Sequence, residues 1–98
     1  MGLFDSCDLE NLKNESEFHV FNELEARIAE FKEPICLCDE CIIDMAAMAL
    51  NNVKPLYRHS ILGGLYAKDA MRDEKYAQSI REAVWEAITK IKKNPSHA

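Results

Sequence analysis

Apolar side chains return every three or four positions at both ends of this chain. From Asn14 onward, Phe18, Phe21, Leu24, Ile28 and Phe31 keep that step, and after Lys68 so do Tyr76, Ile80, Val84, Ala87, Ile88 and Ile91. A repeat near 3.6 residues puts each set on one stripe of an α-helix. A strand cannot bury such a set on one face, because its side chains alternate with a period of two. The first helix runs for roughly 15–19 residues before Pro34 forbids continuation, and Asn94-Pro95 stops the last. Asn14 or Ser16 is placed to cap the first, with Glu17 at the offset that answers Asn14.

Between these helices the pattern changes twice. Cys36-Leu37-Cys38 reads as extended, Asp39 as an N-cap, and Glu40 to Leu50 as a middle helix rich in Ala and Met. Asn51-Asn52 and Pro55 end it. In the stretch 56–67, Gly63-Gly64 supplies turn geometry between residues 57–61 and 65–67, which predicts a short β-hairpin. The expected fold class is therefore mainly α, with three main helices and one possible hairpin. Residues 1–13 form an N-terminal arm and 14–98 a single helical domain.

A chain of 98 residues lies near the lower size at which a core suffices, so a metal or a second subunit is expected to add stability. No apolar stretch approaches the roughly 18–20 residues of a membrane span, and nothing resembles a signal peptide. The expectation is a cytoplasmic protein, where four cysteines serve as ligands, redox groups or core thiols rather than disulfides. Net charge is −5, but residues 1–49 hold three Lys/Arg against twelve Asp/Glu, and residues 50–98 nine against five. Overall acidity argues against DNA or RNA coating, whereas the basic second half suits a small anion or the acidic half of the same or another subunit.

Three of the thiols fall within six positions. Cys36 and Cys38 point the same way on an extended backbone, and Cys41 sits in the first turn of the middle helix, where N–H groups favour the thiolate a metal needs. Structural zinc wants four ligands in a tetrahedron. Cys7 folded back from the arm would complete the set; His19, His59, Asp39 or a partner's thiol are alternatives. A redox Cys-x-x-C needs a βαβ setting that this helical pattern lacks. No phosphate-binding glycine loop, nucleophile elbow or His-Glu-x-x-His occurs, so the chain is not expected to be an enzyme. Trp85 reads as a partly buried anchor or a dimer contact.

Asn22, Glu23 and Glu25, then Cys36-Leu37-Cys38-Asp39-Glu40-Cys41-Ile42-Ile43-Asp44, then 47–57 (Ala-Met-Ala-Leu-Asn-Asn-Val-Lys-Pro-Leu-Tyr), resemble the late competence protein ComFB family. Gly64 to Lys68 and the ending Lys92 to His97 agree, so the likeness spans residues 18–97. One departure is Lys54-Pro55, where the family usually carries two prolines. The resemblance implies a small helical bacterial protein that forms a homodimer and binds zinc through its cysteines. It also implies, for some members, a receptor for cyclic dinucleotides, cyclic di-GMP above all, acting in competence, motility or cell-size control.

Such a ligand carries two phosphates and two purines, and needs cations, stacking surfaces and groups that read guanine edges. Lys54, Arg58, Lys68 and Arg72 are candidates for phosphate, Tyr57 and Tyr66 for stacking, and Asn22, Asp44 and Asn51 for the edges. Three readings follow. The first is a zinc-stabilised dimeric receptor that signals to a protein partner; the second is a structural dimer of competence or motility machinery with no nucleotide; the third is a small redox protein.

Overall fold

Three stripes of apolar residues bury one another, and the rest of the architecture follows from how their helices start and stop. The computed structural model describes residues 2–59, 65 and 69–95. In order along the chain come β1 (Lys13–Asn14), α1 (Ser16–Glu30), α2 (Asp39–Leu50), β2 (Tyr57–Arg58) and α3 (Glu74–Lys93). Short 3-10 turns at Leu9–Asn11 and Ala70–Arg72 precede β1 and α3.

α1 starts where Asn14 Oδ1 accepts from the Ser16 N–H (3.2 Å) and the Ser16 hydroxyl (2.7 Å), which satisfies helix-end donors. It ends as Phe31 turns extended, three residues before Pro34. α2 begins after Cys38, itself extended at φ −70°, ψ 161°, and Asp39 and Glu40 set negative charge on its first turn. Asp73 caps α3 by accepting from the Lys75 N–H at 3.0 Å, and Lys90, Lys92 and Lys93 complement its other end.

The core lies along α3. Ile80, Ala83, Val84, Ala87, Ile88 and Ile91 pack against Cys41, Met45 and Ala49 of α2 and against Val20 and Leu24 of α1. Alanines at 49, 83 and 87 let the helix backbones approach closely. Fully burying a side chain such as Ile80, Ile88 or Met45 contributes about 1.5–3 kcal/mol.

The mainly helical reading holds, with three helices and a two-stranded antiparallel sheet among the described residues. The expected hairpin falls largely on residues outside those described; Tyr57–Arg58 pairs with the N-terminal Lys13–Asn14 in the register Lys13↔Arg58, Asn14↔Tyr57. Lys13, expected to end a loose arm, is thus tied into a sheet. The buried stripe of α1 is also rotated: Ser16, His19, Val20 and Leu24 are inside, while Phe18 and Phe21 are 52% and 47% exposed. α3 meets α1 along the Val20–Leu24 line, so phenylalanines one and two positions away project past it. No helix of the described residues is long and apolar enough to cross a membrane.

Candidate metal centre

The segment between α1 and α2 delivers the thiols. Pro34 keeps it from joining α1, the extended Cys38 brings Cys36 and Cys38 to one side, and the first turn of α2 adds Cys41. The three sulfur atoms all lie within 4.8 Å of one another. A zinc ion with Zn–S bonds of about 2.3 Å holds tetrahedral sulfurs roughly 3.8 Å apart, so closure needs shifts of about 1 Å or less. Cys41 is buried in the core, Cys36 is half-buried and Cys38 is exposed. The site is therefore anchored on one side and open on the other.

Donation from the Cys38 backbone N–H lowers the Cys36 thiol pKa, and the Cys38 thiol adds to this. Partial burial opposes the shift, and the Cys41 thiol contributes in the lowering direction. A thiolate held by this many donors is the form a metal ion captures. The group can hold a metal ion such as zinc through three sulfurs. Cys7 is exposed on the arm and stands outside it, as do His19, His59 and Asp39. His19 is instead buried on α1, with its ring edge-on to Phe18 (5.5 Å) and Tyr76 (6.2 Å).

The nucleotide candidates are spread over one subunit. Asn22 is exposed on α1, Asp44 is exposed on α2, and Asn51 is the C-terminal cap of α2. Lys54 and Tyr57 are exposed on the connector that follows. Arg72 is exposed in the turn before α3, 3.8 Å from Asp69. Tyr66 and Lys68 lie outside the described residues. Arg58 is half-buried and engaged: its Nε lies 2.6 Å from Glu15 Oε1.

Around that pair hydrogen bonds tie distant parts of the chain together. Asn14 Oδ1 also accepts from the Leu56 N–H at 2.8 Å, and the Glu15 N–H donates to the Leu56 carbonyl at 2.8 Å. The Tyr76 hydroxyl donates to the Lys54 carbonyl at 3.1 Å, which fixes the connector to α3. Burial raises the Tyr76 phenol above its ordinary pKa of 10.0.

Sequence reasoning missed two features. Glu15 is buried beside Arg58 although it sits in a polar run; no local signal marks it, because its partner is 43 positions away. An apolar groove of about 670 Å³ also opens between α1 and α2, walled by Phe21, Leu24, Ile28, Leu37, Ile43 and Leu50 among others. That signal was present: Ile42-Ile43 directly follows a core cysteine, and a helix cannot turn three adjacent side chains into one core. Trp85, 53% exposed, rests 5.6 Å from Phe31, over whose ring Lys92 Nζ lies.

Fold and site together define a small, mainly helical domain with a cluster of three thiols at the head of its middle helix. Residues 13–95 match the family described as late competence development protein ComFB. The chain belongs to the ComFB family, as the resemblance implied. Its fold is similar to the solved structure of the late competence protein ComFB from Bacillus subtilis, with a TM-score of 0.65 and 27% sequence identity. That match covers 87% of this chain and 94% of the other. No curated protein matches its sequence.

Proposed function

We propose that this ComFB-family protein is a zinc-stabilised homodimer that binds a cyclic dinucleotide, cyclic di-GMP first, and passes its ligand state to a regulatory protein. The zinc reading is carried by the three sulfurs within 4.8 Å at the head of α2. Cys36, Cys38 and Cys41 hold the ion, and Cys7 or a thiol of the second subunit is the fourth ligand. The ion's role is structural: it clamps the α1–α2 segment onto the core through Cys41.

Homodimerisation is supported by shape. The radius of gyration is 15.6 Å, against about 13 Å for a compact domain of this length, and the thickness is only 18 Å. The uncovered groove between α1 and α2 offers the apolar surface that a second copy would bury.

The ligand reading rests on the family and on the connector carrying Lys54, Tyr57 and Arg58 beside the cap residue Asn51. Because these groups are dispersed in one subunit, the two-fold ligand is taken at or across the two-fold axis. Calorimetric titration of the zinc-loaded dimer with cyclic di-GMP, beside an Arg58→Ala variant, tests it. Saturable heat lost in the variant is expected; no heat at high micromolar ligand overturns the receptor reading.

A structural dimer of competence machinery with no nucleotide is the second reading. The observation in its favour is that Arg58, the innermost of the described phosphate candidates, already has a carboxylate partner.

A further inference from the structure

The Glu15–Arg58 pair gives that last observation a different meaning. We propose that Glu15 is an autoinhibitory contact: it occupies Arg58 in the ligand-free protein, and an anion captured by Arg58 displaces it and loosens the N-terminal strap. This inference rests on the cyclic-dinucleotide reading above and names the regulation of that site.

The competition follows from donor geometry. Arg58 presents a planar fork of N–H groups, and a carboxylate or a phosphate takes two of them along one edge. Glu15 Oε1 holds Nε at 2.6 Å, with the Glu15 side chain 11% exposed and that of Arg58 30% exposed. A phosphate using the Nε edge must therefore move Glu15 aside, because the two anions compete for the same N–H groups.

The consequence reaches the strap because the same few residues hold it. Among the described residues β1 pairs only with β2, and the register sets Lys13 opposite Arg58 itself. Glu15 anchors to Leu56 through its backbone N–H, and Asn14 anchors there through its side chain. Drawing Arg58 toward a phosphate pulls on both strands of this two-residue ladder. The residues it would free include Leu3, Phe4, Leu9 and Leu12, all exposed, among Asp5, Asp8 and Glu10. An acidic, apolar segment released in this way is suited to carry the signal to a partner.

The test uses the full zinc-loaded chain with cyclic di-GMP. Glu15→Gln keeps the shape of the side chain but removes the charge that holds Arg58. If the free-arginine state is about one molecule in ten, the variant binds about tenfold tighter than the native protein. Glu15→Asp, which keeps the charge on a shorter arm, is expected to fall between. Independently of any variant, hydrogen exchange of residues 13 and 14 in the native protein should speed up on ligand saturation. Native binding with no gain in Glu15→Gln, or with unchanged exchange in the strap, overturns the latch and leaves the receptor reading standing. Absence of binding by native and variant proteins alike overturns both.

Discussion

Cys41 and Cys38 differ in what their sulfurs do besides meeting a metal. Cys41 is fully buried between α2 and α3, whereas Cys38 is exposed at the end of an extended segment. Cys38→Ser should therefore remove a ligand with little packing cost, and Cys41→Ser should remove a ligand and place a hydroxyl in an apolar site. The expected result by native mass spectrometry is one zinc per native chain, lost or weakened in both variants. Thermal melts should show the larger drop for Cys41→Ser. Equal melts for native, chelator-treated and doubly substituted protein would remove the structural role of the ion. Tyr76 provides a pH-dependent test of another kind. Burial raises its pKa above 10.0, so the folded state favours the neutral phenol. This contribution is complete below about pH 10, the unfolded value, and is lost as pH rises through the higher folded value. Tyr76→Phe should lose about 0.5–1.5 kcal/mol at neutral pH with its hydrogen bond to Lys54 and show a shallower alkaline decline. Parallel declines in denaturant melts from pH 9 to 11 would refute that assignment.

Among the elements, the turn-and-cap chemistry at β1–α1 binds more of the chain together than its two-residue strand suggests. Asn14 Oδ1 accepts from three donors, two at the start of α1 and one in the connector. Asn14→Ala should destabilise the fold by about 1–2 kcal/mol and raise exchange at Ser16 and Leu56 together, since all three donors lose their acceptor at once. A loss confined to α1 would show that the connector holds its position by other means. The helices themselves were readable because each stripe recurs with helical period and each end carries a recognisable stop: Pro34, Asn51-Asn52, Asn94-Pro95. The middle thiols were readable for the same reason, as an extended pair followed by a helix start has few geometries. What escaped was long-range. Lys13–Asn14 carries no strand signal, and Tyr57–Arg58 pairs with it across more than 40 positions of sequence. In α1 the period identified the helix but not its rotation, because Phe18, Phe21, His19 and Val20 crowd both sides of the stripe and packing against α3 decides between them.

At the scale of the molecule, an 11.2 kDa chain with a core along one helix leaves one broad apolar surface unsatisfied. Phe21, Leu37, Ile42 and Ile43 are each at least 37% exposed and converge on the groove between α1 and α2. Ile43 is the outermost, at 64% exposed, so a charge there meets water in a monomer and costs at most about 0.5 kcal/mol. In a two-fold contact the same charge is introduced twice, against apolar residues and near its own copy, which costs several kcal/mol at the interface. Ile43→Asp should therefore shift the protein to monomers in sedimentation velocity while leaving monomer helicity at its native level. Zinc retention in that monomer then assigns the fourth ligand: full occupancy points to Cys7 of the same chain, and loss of metal on dissociation points to a thiol of the second subunit. A native protein that sediments as a monomer at tens of micromolar, or a variant that stays dimeric, would show that the groove between α1 and α2 is not where two copies meet.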